Sequence, residues 1–169
     1  MRTTKKRRVF EEGHRRKYLV VVDESHEVEA ALYFSALRVS RTSGSILLLY
    51  VIEPQQFQHW ASVHQVHLDE ETNKAKALFR LFRRRLNNAG FESVLTEEVI
   101  REGHNVEAIV ELIEEDEDIA VLVLGAATDA KGPGPLVSSL AAGKMAGMFP
   151  IPVTIVPGNL TLEELEALA

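Results

Sequence analysis

Val121-Leu122-Val123-Leu124-Gly125-Ala126-Ala127-Thr128 is the stretch whose reading decides the fold. Within it and just before it, Ile119 to Leu124 is the most purely apolar run in the chain, of strand length and without a polar side, as expected of a strand covered on both faces. It ends in a glycine turn, after which Gly132, Gly134, Pro135 and the pair Ser138-Ser139 follow at helix-opening distance. Backbone N–H groups in such a loop, followed by the positive end of a helix, can seat a phosphate without a cationic side chain.

Outward from this strand, apolar runs of strand length alternate with segments of helical period. Tyr18 to Val22 reads as a buried strand ending at Asp23. From Val28, residues Ala30, Tyr33, Phe34 and Leu37 mark one helix face until Gly44 stops it. Ile46 to Val51 is a second strand, and Pro54 ends it. Residues 54 to 68 show no clear period and read as a loop. From about Asp69 to Asn88 the residues Leu78, Phe79, Phe82 and Leu86 form an apolar stripe closed by Asn88-Ala89-Gly90. Val94 to Ile100 alternates weakly, as an edge strand does. Val106, Ile109, Val110 and Ile113 mark a third helix, and Pro135 to about Met148 a fourth, with proline at its first position. A last strand is led by Pro152, and Leu160 to Leu168 reads as a short helical tail.

The order βαβαβαβαβ, with right-handed crossovers, predicts an α/β fold: an open, doubly wound five-stranded parallel sheet with helices on both faces. Its switch point falls between the first and fourth strands, where open sheets bind ligands at the strands' carboxyl ends. Asp23 and Gly125 should face each other across that crevice.

The chain resembles the universal stress protein family over roughly residues 17 to 157. The family's strand after the third helix ends in G-x2-G-x9-G-[ST], which on Gly125 lands on Thr128 and then on Ser138-Ser139. The first glycine and the final hydroxyl match, and the two inner glycines are replaced. Lys17-Tyr18-Leu19-Val20-Val21-Val22-Asp23-Glu24-Ser25 is similar to the family's opening strand, and Pro152-Val153-Thr154-Ile155-Val156 to its proline-led last strand. The resemblance implies the strand order 3-2-1-4-5. It further implies an adenine nucleotide, ATP or AMP, with Asp23 and the backbone around Val51 at base or ribose and Gly125, Thr128, Gly132, Gly134, Ser138 and Ser139 around ribose and phosphates. Asp23 and Ser25 also suit a turn before the first helix, with or without a ligand. A positive φ at Thr128 would cost about 1–2 kcal/mol, so the loop is expected to take another path than the family's.

Composition sets further bounds. The chain has 169 residues, 46% of them hydrophobic, enough for one substantial core. Cysteine is absent, which excludes disulfides, thiol nucleophiles and cysteine-ligated metals. No apolar run reaches the ~18 residues of a membrane span, and no secretory signal is recognisable, so a cytoplasmic protein is expected. The formal net charge is −6. Arg2, Lys5, Lys6, Arg7, Arg8, Arg15, Arg16 and Lys17 stand against only Glu11 and Glu12 in the first 17 residues, a net +6 that leaves −12 for the rest. The acidic body is a poor nucleic-acid binder. Residues 1 to 16 read as a solvated, disordered basic tail, 17 to 157 as the domain, and 158 to 169 as a tail or short helix.

Enzyme chemistry finds no support. The G-x4-G-K-[ST] phosphate loop is missing. A receiver-type domain needs an acceptor aspartate after the third strand, where the chain reads Ile100-Arg101-Glu102. His59, His64 and His67 lack a convincing carboxylate partner set for a metal, and Phe57 and Trp60 fit a flap over the crevice. The basic residues Lys74 to Arg85 and the acidic run Glu114 to Asp118 read as solvated faces. Two functional readings stand. One is a regulator that senses an adenine nucleotide without turnover. The other is a dimeric protein-interaction module of the same fold, paired through a proline-bracketed last strand, with a protein partner the sequence does not identify.

Overall fold

The computed structural model describes residues 5–55 and 61–169. Its elements are β1 (Lys17–Val21), α1 (Val28–Thr42), β2 (Ser45–Ile52), α2 (Ala61–Asn88), β3 (Thr96–Glu102), α3 (Asn105–Glu115), β4 (Ile119–Ala126), α4 (Pro135–Val137), β5 (Val153–Pro157) and α5 (Leu162–Leu168). All four strand pairings are parallel, in the order β3-β2-β1-β4-β5. The expected doubly wound sheet and its switch point between β1 and β4 are therefore present.

Each central strand splits its apolar side chains between two layers, as a period of two dictates. Tyr18, Val20, Val22, Ile46, Leu48 and Tyr50 join Leu32, Phe79, Phe82 and Leu165 on the α1, α2 and α5 side. Leu19, Leu47, Leu49, Leu122 and Leu124 join Ile109, Ile113, Val137 and Ile151 on the other. A fully buried side chain of this size is worth roughly 1.5–3 kcal/mol, so the two layers clamp the strand ends that form the crevice. Among the described residues, no helix is long and apolar enough to cross a membrane.

Two helices depart from their sequence expectations. α2 begins at Ala61, within the segment read as a loop. Its first turns bury nothing, with Val63 and Val66 exposed, and its buried residues begin at Ala75. Periodicity reports burial, so a helix projecting past the core is silent to it. The fourth helix is not continuous from Pro135 to Met148. It passes from three α-helical residues to a π turn at Ser138–Ala142, an extended Gly143 and a 3₁₀ turn at Lys144–Gly147. Val137 and Leu140 are its buried anchors, and Ser138, Ser139, Ala141 and Ala142 face solvent, so packing fixes little of its course.

Residues 5–16, read from the sequence as a disordered tail, form a strap over the junction of α3 and β4. The Arg7 guanidinium donates to the carbonyls of Ile113 (2.8 Å), Asp116 (3.0 Å) and Ile119 (3.3 Å), satisfying groups that a helix end leaves open. The Arg8 N–H donates to the Glu117 carbonyl at 3.2 Å, and His14 Nδ1 lies 2.7 Å from Asp118 Oδ1. Lys17 Nζ meets Asp116 at 2.7 Å and Glu97 at 3.1 Å. Burial opposes the Lys17 charge, but these carboxylates outweigh it and raise its pKa. The basic segment and the acidic run 114–118, separate features in the sequence, thus answer each other. α5 packs against α1, and its N-terminus carries a capping box between Thr161 and Glu164.

Candidate functional site

The carboxyl ends of β1, β2 and β4 frame a crevice in two connected halves. The larger, about 440 Å³, is lined by Asp23, Tyr50, Val51, Glu53, His67 and Glu71 among others. The smaller, about 80 Å³, is lined by Ser25, Val28, Leu124, Gly125, Pro133, Gly134, Pro135 and Val137 among others. Val21, Asp23, Asn105 and Leu136 belong to both.

Asp23 sits where β1 has ended and α1 has not begun. Its Oδ1 accepts the Ser25 N–H at 2.8 Å and the Ser25 hydroxyl as well, closing a side-chain turn. The expected turn role is therefore real, and Asp23 still lines both halves. Val51 is the penultimate residue of β2. Gly125 lies where the turn before α1 crosses β4: a Cβ there would stand 2.1 Å from the Glu27 carbonyl oxygen. Its lack of a side chain serves this crossing as well as the crevice. Gly134 precedes α4 with φ +105°, a conformation that side-chain-bearing residues avoid, and nothing lies within 4 Å of where its Cβ would be.

Of the eight residues singled out from the sequence, Asp23, Val51, Gly125 and Gly134 line the crevice. Thr128, Gly132, Ser138 and Ser139 line neither half. The 127–133 loop closes on itself: the Ala127 N–H donates to the Pro133 carbonyl at 3.0 Å, the Lys131 N–H to Asp129 Oδ1 at 2.8 Å, and the Gly132 N–H to the Asp129 carbonyl at 3.3 Å. Thr128 sits exposed in that loop without a positive φ, since Ser43 alone among the described non-glycine residues has one. The loop has taken its own path, as the strain argument expects. Ser138 and Ser139 open the π turn, and the Ser138 N–H is spent on the Gly134 carbonyl.

Sequence reasoning missed Asn105, Leu136, Tyr50, Glu53, His67 and Glu71. Asn105 opens α3 just after β3, so the rule that points to strand carboxyl ends covers it once β3 is placed. His67 comes from a turn of α2 that periodicity cannot see, and Glu71 from the first turn of the part read as helix, ahead of its apolar stripe. The Tyr50 hydroxyl donates to Glu71 Oε2 at 2.5 Å. Burial, then this hydrogen bond, raises the Tyr50 pKa, and the charges of Glu71, Glu24 and Asp23 add to the effect. The same hydrogen bond holds the Glu71 pKa below the usual carboxylate range against the opposing effect of burial. Lys74 Nζ lies 3.4 Å from Glu71 and 3.6 Å from Glu24, and its pKa is raised by their charges.

His64 Nε2 is 3.4 Å from Glu102, and His67 Nε2 is 3.3 Å from the Glu53 carbonyl oxygen. His59, Phe57 and Trp60 lie outside the described residues. Among those described, no group of three or more His, Cys, Asp or Glu is placed to hold a metal ion. The crevice offers an apolar floor, a tyrosine wall, carboxylate and amide groups and a glycine-led loop, a set suited to holding a small polar molecule.

The family model described as the universal stress protein family matches residues 14–157. No protein of curated function matches the chain. Among solved structures, the universal stress protein UspA from Lactobacillus plantarum is similar at 19% identity and a TM-score of 0.65, covering 83% of this chain and 97% of that one. The Archaeoglobus fulgidus universal stress protein in complex with dAMP is similar at 17% identity and a TM-score of 0.58, covering 83% and 97%. An Arabidopsis thaliana universal stress protein family member with AMP bound is similar at 18% identity and a TM-score of 0.54, covering 84% and 91%.

Proposed function

Because the chain belongs to the universal stress protein family, whose model it matches over residues 14–157, we propose that it is a stress-type regulatory protein that holds an adenine nucleotide in the crevice between Asp23 and Gly125. The observation that carries this reading is the joining of the two halves across Val21, Asp23, Asn105 and Leu136, at the switch point where the topology calls for a ligand. Base and ribose take the larger half, beside Val51 and Tyr50, with the Asp23 carboxylate accepting from a ribose hydroxyl. The phosphate end lies toward Gly125 and Gly134, with Thr128, Gly132, Ser138 and Ser139 as the outer rim. The solved relatives that hold AMP and dAMP support the choice of ligand. The ligand is a signal and is not turned over, and a cytoplasmic setting fits the cysteine-free composition. Calorimetric titration with AMP tests the reading: a heat of binding is expected, and none at millimolar ligand, where even a weak site of about −4 kcal/mol registers, refutes it.

The open edge of β5 favours a second role, pairing with another copy. Among the described residues β5 pairs only with β4, and Ile155 is 37% exposed. α5, a candidate cover for that edge, packs on α1 instead. An edge of this kind invites a two-fold partner. Light scattering is expected to give a dimer that Ile155→Pro weakens by removing a backbone donor that faces away from β4; a monomer at tens of micromolar refutes it.

A further inference from the structure

The charge and size of the crevice choose among adenine ligands. Asp23, Glu53 and Glu71 line its larger half, and Glu24 stands beside them through Lys74. No lysine or arginine is among the described residues lining either half. Lys74, the nearest ammonium, is already committed to Glu71 and Glu24. The smaller half holds about 80 Å³. It is the smaller of the two compartments, and a monophosphate asks less room of it than a chain of three phosphates does. Beside Ser25, Asn105, Gly125 and Gly134, its lining includes the acidic residues Asp23 and Glu27 and two prolines, Pro133 and Pro135, that have no N–H to offer a phosphate oxygen.

Resting on the adenine-nucleotide reading above, we infer that the crevice is selective for adenine ligands of low charge, adenosine and adenosine monophosphate, and rejects the triphosphate. The polyphosphate end of ATP brings negative charge into a crevice already lined by the acidic residues Asp23, Glu27, Glu53 and Glu71 and by no uncommitted lysine or arginine among the described residues, and such charges act over ~8 Å at physiological ionic strength. The raised Tyr50 pKa reports the same field from inside the pocket, since after burial its causes are the hydrogen bond to Glu71 and the charges of Glu71, Glu24 and Asp23. Uncharged ribose hydroxyls, by contrast, are donors that these carboxylates accept. A protein with this preference responds to the products of ATP consumption while ignoring a large excess of ATP.

The test is calorimetric titration of the full chain with adenosine, AMP and ATP, with and without magnesium, at low and at high salt. AMP and adenosine are expected to bind at least ten-fold more tightly than ATP, a difference of about 1.4 kcal/mol. Salt is expected to strengthen ATP binding by screening the carboxylates, the reverse of the usual effect on an anion held by a basic site. Glu53→Gln is expected to narrow the AMP-to-ATP ratio several-fold. ATP binding as tightly as AMP overturns the selectivity and leaves the adenine reading standing. Weakening of ATP binding by salt overturns the electrostatic cause. Failure of all three ligands overturns the adenine reading and the selectivity together.

Discussion

Replacing Gly125 by alanine sets a methyl carbon 2.1 Å from the Glu27 carbonyl oxygen, 2.6 Å from the carbonyl carbon and 3.0 Å from the Glu27 Cβ. The first two atoms are backbone and cannot swing aside as a side-chain tip does. Gly158 crowds the same residue: a Cβ there would stand 2.6 Å from the Glu27 Cβ and 2.6 Å from the Ala126 carbonyl oxygen. Overpacking of this kind costs about 1–3 kcal/mol, and a clash with backbone atoms puts Gly125→Ala at the upper end. For a chain of this size each kcal/mol moves the melting temperature by about 2–4 °C, so a fall of roughly 6–12 °C is expected. Thermal unfolding followed by far-ultraviolet circular dichroism reads it. Gly147→Ala is the control, since nothing lies within 4 Å of its Cβ position and its φ is not positive. A melting temperature for Gly125→Ala within about 2 °C of the unaltered chain refutes the claim that the α1 entrance is wedged against β4.

Gly134→Val is expected to abolish AMP binding in calorimetry while the chain remains folded, because it forces a branched side chain into a φ of +105° and fills the open space beside the crevice; unchanged affinity removes this loop from the site. Arg7→Ala removes three charge-assisted hydrogen bonds to carbonyls at the α3–β4 junction and is expected to cost about 2 kcal/mol, read as a denaturation midpoint; no change means the strap is not anchored there. Tyr50→Phe removes the main cause of the depressed Glu71 pKa. A depressed carboxylate stabilises the fold above its unfolded pKa of about 4.3, and that contribution is lost as pH falls through the lower folded value. The unaltered chain is therefore expected to lose the Glu71 contribution at lower pH than Tyr50→Phe does, and overlapping acid-unfolding curves refute the coupling.

The doubly wound sheet was legible because it depends on strong local signals, while its strand order 3-2-1-4-5 came with the family resemblance. The run from Ile119 to Leu124 has no polar side, the Val28 helix keeps its period to Thr42, and one handedness of crossover then leaves a doubly wound sheet with its switch point between the first and fourth strands. Asp23 and Gly125 followed from that topology, since both lie at the carboxyl ends of strands beside the switch point, while Val51 and Gly134 came with the family resemblance. Glu71 and His67 came by neither route. They sit on turns of α2 that bury no stripe, and their approach to Tyr50 and Glu53 depends on how far the helix overhangs the sheet. The segment after Pro135 misled for a related reason: Ser138-Ser139-Leu140-Ala141-Ala142 has no intrinsic objection to an α-helix, yet Leu140 is its only buried anchor and Gly143 runs extended. Basic and acidic runs read singly look like two solvated surfaces, and only the return of the chain at Ile119 sets them against each other.

The strap ties together parts of the chain made at different times. Arg7 and its first acceptor, Ile113, are 106 residues apart. At a synthesis rate of about 5–20 residues per second, roughly 5–20 s pass between the translation of the guanidinium and that of the carbonyl it will cap. Throughout that interval β1, α1 and β2 can pair, but the basic segment has no seat and hangs from the nascent chain as an unneutralised polycation. Its docking is the seal on a completed βαβ unit, so a ribosome that stalls before α3 leaves the segment exposed to proteases and to the anionic surfaces around it.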